Sequence, residues 1–524
     1  MRAINVAALR LTKRAENNQL NLVDSFVDIG AVLPILQTVE SQVLFGRRGT
    51  GKTHVLSYLD QLVSQEGKCS VMLDMRLIGS TGGIYADPNI TLQERATRLL
   101  SDTLGAIHEK ILEAIIESDN EEYDLSILGP LLDRFVEAST EVVIEGGITQ
   151  EVGGEYNASQ QVSAAFNVNP GGAEPLGINL GANRGESATS SYRSAISGSA
   201  RLRVHFGALG QASRNLVARL PGRELWVILD EWSEVPLDLQ PFLADLLRRT
   251  LFPIPGVAVK IAAIGQRSNF RLVDGAAGYI GIEIGADAAP GINLDEFLVF
   301  DNEAETAKSF FKELVFRHLK AVGVTNFDAD YPTSDRLIND MFTQANAFDE
   351  FVRSSEGVPR DAINILGMAA QRANDGKISV PDVRVAAKNW YLRGKQQAVS
   401  SRQQAMELLN WIIDEVIQHR QARAFLVPGD LKDELLDFLY DARVLHITKE
   451  GVSAQDIPGR RFNVFSIDYG CYVDLINTNK APKGLFEALE EDDEGEQYIE
   501  VPQTDYRSIR RAILNIEQFY GGGD

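Results

Sequence analysis

The sequence predicts an α/β protein: an open parallel sheet covered by helices on both faces, then a helical segment, then a small module of helices and a hairpin. Three observations predict it. Val43–Phe45, Leu225–Leu229 and Val257–Ile264 are short, continuous apolar runs of the kind that strands buried on both faces require. The first run leads directly into a glycine-rich turn and a helical pattern, the order of a strand–loop–helix unit. From residue 302 to about 390 the spacing is helical, and after Gln397 it gives way to two helices followed by two alternating segments of strand type. With 44% hydrophobic and 24% charged residues the chain has the balance of ordinary buried cores rather than disorder.

Taken in chain order, the first unit carries the most specific chemistry. After Val43–Phe45 come Gly46, Arg47, Arg48, Gly49, Thr50, Gly51, Lys52 and Thr53, and then the helical stretch His54–Val63. This is the phosphate-loop pattern GxxxxGK[ST] in the context that gives it meaning. The glycines let successive backbone N–H groups turn onto phosphate oxygens where a Cβ would obstruct them. Lys52 is expected to reach the β- and γ-phosphates and Thr53 to offer its hydroxyl to Mg²⁺, with the helix N-terminus adding its positive end. Leu225–Leu229 ends in Asp230 and Glu231. At the carboxyl end of a buried parallel strand, Asp230 is placed to hold Mg²⁺ through water and Glu231 to polarise an attacking water. No guanine-selecting NKxD occurs, so the expected nucleotide is ATP, with ADP as its product.

The third run ends in Gly265-Gln266-Arg267. A polar side chain at this strand end can sense a γ-phosphate lying between the first two motifs, and both Gln266 and Arg267 qualify. Arg271 and the pair Arg248-Arg249, which closes the helical stretch Leu237–Thr250, are candidates for an arginine acting in trans on a neighbouring copy. An edge strand is expected near Gly281–Gly285. Within the helical segment, Gly357-Val358-Pro359-Arg360 breaks the chain just before a helix and leaves Arg360 in its first turn. A cation there opposes the helix dipole. That local cost suggests another use for the charge, and contact with a nucleotide phosphate is one.

Ser400–His419 reads as a long amphipathic helix, Leu431–Asp441 as a second, and Val444–Thr448 with Asn463–Ile467 as a hairpin around a polar wing. Between the first two motifs lies an insertion, 138–206, rich in Gly, Ser, Asn and Ala. It alternates with period two over Gln161–Asn169 and Tyr192–Phe206, with turn residues Asn169-Pro170-Gly171-Gly172 between. Isolated hairpins are marginal in water, so these strands call for cover from the core or from neighbouring copies. An assembly device is the functional reading and a decorative loop the plain one. Arg193, Arg201 and Arg203 keep a nucleic-acid contact as a minor option. Leu485–Glu500 holds eight acids and no base and reads as a solvated acidic tail, with a short helix expected within Arg507–Phe519.

These features resemble the AAA+ ATPases, specifically the replication-origin initiator clade, and the neighbouring STAND signalling ATPases, over roughly residues 20–475. Gly46–Thr53 and Leu225–Glu231 match the Walker A and Walker B motifs. Gly357–Leu366 is similar to the sensor-2 turn of the initiators, and its Gly-x-Pro portion to the STAND lid. Arg267 resembles the arginine ending the sensor-1 strand of STAND proteins, where AAA+ members more often carry Asn or Thr, so the choice between the clades stays open. The resemblance implies a P-loop αβα nucleotide domain over 1–300, a helical lid over 301–396 and a winged-helix-like domain over 397–480, with 481–524 as the acidic tail.

Charge bears on the partners. Lys+Arg total 51 against 73 Asp+Glu, a formal net of −22, which excludes a basic footprint over the whole chain. The segment that would read DNA, Gly429–Asp441, carries Asp430, Asp433, Glu434, Asp437 and Asp441 against Lys432 alone. Since cation–phosphate contacts dominate DNA affinity, the winged helix is expected to contact protein. Two distant cysteines, Cys69 and Cys471, make no disulfide framework and no zinc site. No run is long enough to span a membrane, and no secretory leader is expected, so a cytoplasmic location is. The expected function is an ATP-binding and ATP-hydrolysing switch that oligomerises and senses or remodels a protein partner, by analogy with stress and anti-phage defence ATPases. An ATP-gated DNA-binding protein of initiator type is the alternative, and a nucleotide-bound scaffold the third reading.

Overall fold

Along the chain the strands are β1 (Gln42–Phe45), β2 (Cys69–Asp74), β3 (Glu141–Glu151), β4 (Ala164–Phe166), β5 (Arg193–Arg203), β6 (Leu225–Asp230) and β7 (Val257–Ala263). They continue with β8 (Arg271–Asp274), β9 (Gly278–Gly281), β10 (Ile292–Asn293), β11 (Ala424–Pro428), β12 (Leu445–Ser453) and β13 (Arg461–Ile467). The computed structural model describes residues 1–11, 22–30, 32–78, 85–118, 123–139, 141–151, 164–166, 193–274, 278–298, 304–419, 422, 424–453, 459–473, 487–489, 497–499 and 513–521.

Five strands form one parallel sheet in the order β10-β1-β7-β6-β2. Every residue of β6 and β7 is buried, because alternate side chains feed two different cores. Trp226 and Ile228 pack with Leu44, Leu56 and Ala262 on one face. Val227 and Leu229 pack with Val71, Leu73 and Ile261 on the other. Burying a large apolar side chain is worth roughly 1.5–3 kcal/mol, which is why these runs are continuously hydrophobic. Helices Leu92–Glu117, Leu125–Ser139, Phe206–Val217 and Gln240–Thr250 close the second core. The first extends without a break through lid residues such as Phe311, Phe351 and Leu366 to Leu436, Leu445 and Ile467 of the C-terminal module. Lid, module and sheet thus share a core, and the expected α/β fold is the one observed.

Lys260 interrupts the apolar run of β7 and is fully buried. Its ammonium donates to Thr38 O and Glu40 O, both at 2.8 Å, and to Gln42 Oε1, so it caps the turn leading into β1.

The edge strand lies elsewhere than expected. Arg271–Asp274 and Gly278–Gly281 pair with each other as an antiparallel hairpin, and the sheet edge beside β1 is the two-residue β10. A strand that short has no period to read. In the insertion, β3 pairs antiparallel with β5 from Glu141↔Arg203 to Glu151↔Arg193, and β4 adds to the other side of β3. The alternating pattern overran its strand: Phe206 opens a helix, capped by His205 Nδ1 accepting from Ala208 N–H at 3.0 Å. The turn at Asn169–Gly172 lies outside the described residues.

The lid runs through helices Ala304–Ala321, Ser334–Met341, Ala345–Ser354, Pro359–Ala373 and Val380–Trp390. The single helix expected over Ser400–His419 is divided. Gln396–Ser400 ends at a turn, Gln403–Ile412 is α-helical, and Ile413–His419 winds as a π-helix. Buried Leu408, Leu409, Ile412, Val416 and Ile417 keep one apolar face across the last two pieces, so the spacing concealed the change of winding. The module is a three-stranded antiparallel sheet, β11-β13-β12, with helix Glu434–Asp441 against it. β11 is a strand the sequence reading lacked. Of the acidic tail, Glu487–Leu489 pairs with Gln497–Ile499, and Glu517–Gly521 forms a short helix.

Candidate functional site

The loop after β1 turns through Gly49 and Gly51, whose φ values of 91° and 99° only glycine adopts without strain. A Cβ on Gly49 would lie 2.9 Å from Arg360 Cβ and 3.1 Å from Val358 Cγ1, so the lid packs directly on the loop. A Cβ on Gly51 would meet nothing within 4 Å, so the loop is open there. Lys52 starts the helix Lys52–Gln65, and its buried ammonium donates to Gly46 O at 2.8 Å and Arg47 O at 3.0 Å. Burial pulls its pKa down, against the attraction of Glu231 and Asp230. Thr50 Oγ1 donates to Arg47 O at 2.8 Å and braces the turn.

Across the sheet, Asp230 ends β6 almost wholly buried. Burial pushes its carboxyl up to about 6, opposed by a hydrogen bond with the Thr53 side chain. Glu231 N–H donates to Asp230 Oδ1 at 2.9 Å, and Glu231 itself sits in the left-handed region at φ 56°. A non-glycine residue there stores roughly 1–3 kcal/mol of strain, a cost that clusters at functional sites. Lys52, Thr53, Asp230 and Glu231 thus converge at the carboxyl end of the sheet. Arg360 joins them from the lid: its N–H donates to Gly49 O at 3.2 Å, and its charge acts on Lys52.

The two loop arginines have other engagements. Arg47 is buried, its Nε donating to Asp295 Oδ1 at 2.7 Å and a terminal nitrogen to Glu356 O at 2.8 Å. Its backbone N–H donates to Asp295 Oδ2 at 2.9 Å. The guanidinium therefore ties the loop to the segment after β10 and to the lid turn. Arg48 is half exposed and pairs with Glu234 at 2.7 Å. Gln266 is exposed beyond β7, whereas Arg267 Nε pairs with Asp441 of helix Glu434–Asp441. Arg48 and Glu234 also act on that carboxylate. The third strand end is thereby joined to the C-terminal module.

The candidate trans-acting arginines are all paired within their own chain. Arg248 and Arg249 share Asp245 at 2.7 and 2.6 Å, Arg271 meets Glu283 at 2.9 Å, and Arg248 and Arg271 both lie over the Tyr279 ring.

Behind Arg360 lies a buried ionic cluster that sequence reasoning missed. Asp361 meets Lys395 at 2.7 Å and Arg443 at 2.7 Å, Lys395 also pairs with Asp468, and His446 Nε2 lies 3.1 Å from Asp468. Lys395 and Arg443 hold the Asp361 carboxyl below its usual range despite burial, and Asp468 is drawn down to about 2. Burial keeps His446 neutral, with its pKa lowered to about 4. The first turn of helix Pro359–Ala373 therefore contacts the phosphate loop through one residue and the module through the next.

The hydroxyl of Thr53 and the carboxylate of Asp230 are hard oxygen donors of the kind Mg²⁺ takes. Among the described residues no group of three or more His, Cys, Asp or Glu could hold a metal by itself. A cation here would draw its remaining ligands from phosphate and water, and the open glycine loop with its buried lysine fits such a phosphate.

Strand order, loop and acid pair define the class of architecture: an α/β fold with a five-stranded parallel sheet of P-loop type, a helical lid and a winged-helix-like module. No protein-family model matches the chain, and no curated protein does. Among solved structures it is similar to Cdc6p from Pyrobaculum aerophilum, at 14% identity over 88% of this chain and 94% of that one, with a TM-score of 0.28. It is likewise similar to the Aeropyrum pernix Orc1 protein in complex with DNA, at 14% identity over 84% of this chain and 90% of that one, with a TM-score of 0.31. The likeness spans most of the chain at low identity. Among the described residues no helix is long and apolar enough to cross a membrane.

Proposed function

We propose that this chain is an ATP-binding and ATP-hydrolysing switch that assembles with copies of itself and acts on a protein partner. The convergence of Lys52, Thr53, Asp230 and Glu231, with Arg360 brought to Gly49 by the lid, carries the reading. The backbone of Gly46, Arg47, Arg48, Gly49, Thr50 and Gly51 cradles phosphate, and Lys52 neutralises it. Thr53 and Asp230 would hold Mg²⁺, which would supply neutralising charge to the phosphates. Glu231 orients the attacking water and takes up its proton. In this reading Gln266 and Arg267 sense the γ-phosphate. Because Arg267 also holds Asp441, nucleotide state is coupled to the position of the module. The domains are taken as 1–300, with the insertion 138–206, then 301–396, 397–480 and 481–524.

Steady-state phosphate release by wild type against Glu231→Gln tests the enzyme. The variant is expected to keep ATP and to lose roughly 10²–10⁴-fold in turnover, as for removal of a general base; equal rates would sink the proposal. Mass photometry with and without ATP, repeated after deletion of 140–204, tests assembly, and an unchanged distribution in every condition counts against it. The second reading is an ATP-gated DNA-binding protein of initiator type. The exposed Lys449 in β12, Arg460 just before β13 and Arg461 at its start favour it. A salt-dependent gel shift at micromolar protein decides between the two partners.

A further inference from the structure

The end of the described chain is seated on the C-terminal module. β11 is one of the two outer strands of its sheet, and a strand edge presents unpaired amide and carbonyl groups that invite another segment to pair. Ile513 bridges Leu426 in parallel register, and Leu514 N–H donates to Leu426 O at 3.0 Å. Leu514 and Ile516 are buried. The Phe519 ring lies against Trp411 with centroids 5.8 Å apart, and Tyr520 Oη donates to Asp433 Oδ2 at 2.8 Å. The segment therefore fills the sheet edge and reaches the N-cap of helix Glu434–Asp441. What fits this seat is an extended apolar pair, a further aliphatic residue, and then two aromatics on one helical turn.

Two features make the seat exchangeable. The contact is small, resting on a short stretch of strand pairing, two buried aliphatic side chains and two aromatic contacts, so release does not require the module to unfold. The connection from Val473 to Ile513 comprises residues 474–512, 39 residues of which 487–499 close in a hairpin, so the remaining 26 reach at most roughly 90 Å. That is ample to place the segment on a neighbouring copy. An identical segment arriving from a second copy would make identical contacts, so exchange costs little beyond association itself.

We propose that residues 513–521 are an exchangeable strand, which plugs the β11 edge of its own chain and, when copies meet, that of a second copy. The proposal does not depend on nucleotide binding. It is tested in full-length protein by placing Leu426→Cys in one chain and Ile513→Cys in another, mixing them, and oxidising mildly. Each single variant alone and the double variant in one chain serve as controls. The double variant is expected to close a disulfide within its own chain. The mixture is expected to give a disulfide-linked dimer that needs both cysteines, grows with concentration, and is suppressed by excess peptide of residues 511–524. A double variant that closes its internal disulfide beside a mixture that gives no dimer above the single-variant controls would overturn the proposal, leaving a fixed intramolecular strap. Failure of the double variant to close its disulfide overturns it too, since the seat itself would then be absent. A mixed dimer indifferent to the peptide also counts against it.

Discussion

Replacing Lys395 by Met removes the one ammonium that joins Asp361 to Asp468. All three side chains are at most 3% exposed, so water cannot take over the lost charge. Removing one partner of a buried pair costs roughly 3–5 kcal/mol, because the opposite charge is left uncompensated. Two neighbours soften the loss: Arg443 remains 2.7 Å from Asp361, and His446 remains 3.1 Å from Asp468. The expected loss is therefore at the lower end, about 3 kcal/mol. With a urea slope of about 2–3 kcal/mol/M, this moves the midpoint down by roughly 1–1.5 M. Trp390 and Trp411 lie in the lid and beside the module, so tryptophan fluorescence reports the affected region. Adding Asp468→Asn to the lysine variant removes the stranded charge and should restore about half of the shift, leaving Asp361 with Arg443. The His446 pKa should also rise in Lys395→Met, since Lys395 adds to burial in keeping it low. A midpoint change below about 0.3 M, or no recovery with Asp468→Asn, would refute the idea that this cluster fastens module to lid.

Gly49→Ala places a methyl 2.9 Å from Arg360 Cβ at a φ of 91°, so ATP affinity measured by calorimetry should fall at least tenfold, while Gly51→Ala, open in space, loses less. Lys260→Met leaves three acceptors around Thr38–Gln42 without their donor; at roughly 1–3 kcal/mol for a buried orphaned group, the melting temperature should drop by several degrees. The pH dependence follows from His446 and Asp468. Between its ordinary 6.5 and about 4, His446 binds a proton when unfolded but not when folded, so stability falls as pH drops through that window. Asp468 adds a second loss as pH falls from its ordinary 3.8 towards about 2, where the folded carboxylate itself protonates. Thermal melts from pH 7 to pH 4 should show the first limb, which is shared by His318, likewise lowered to about 4 by burial, so His446→Phe should shrink it and His318→Phe should shrink it further.

The parts of the site legible in sequence are those whose chemistry is local. Phosphate binding demands glycine, lysine and hydroxyl within one turn, and the cation site demands an acid at the end of a buried strand, so Gly46–Thr53 and Leu225–Glu231 carry their meaning in consecutive residues. Arg47 marks the limit. Its position in the loop suggests a phosphate ligand, but its side chain is committed to Asp295 and Glu356, neither of which has any spacing relation to it. Asp441 and the Lys395 cluster are illegible for the same reason, since each acquires its role from a partner on another domain. Among the strands, β10 is too short to show a period, and β11 is a brief apolar run ending in Pro428 beside a helix that drew the attention. The strain at Glu231 is also invisible: only the backbone reveals that a non-glycine residue holds φ 56° at the acid proposed to position water.

The acidic helix of the module takes on a different meaning once its partners are known. Five acids against one lysine between Gly429 and Asp441 read as repulsion of DNA, yet the acids are largely engaged inside the chain. Asp441 holds Arg267, Glu434 meets Arg402 at 2.9 Å, and Asp430 faces Arg460 at 3.6 Å. Asp433 caps the helix by accepting from Leu435 and Leu436 N–H, and it receives Tyr520 besides. Asp437 is half-buried and its carboxyl is pushed up, chiefly by burial and then by Asp441 and Asp433. The local charge is thus much nearer neutral than a count of letters indicates, and electrostatics alone is a weak objection to a nucleic-acid partner. Access is the stronger one. The C-terminal end of the helix is held by the arginine at the end of β7, and its N-terminal end is covered by the chain's own last residues. A ligand for this face must displace one contact or the other, and the first of them lies beside the phosphate loop. Whatever the module contacts, Asp441 fastens this helix to the end of β7 beside the phosphate loop.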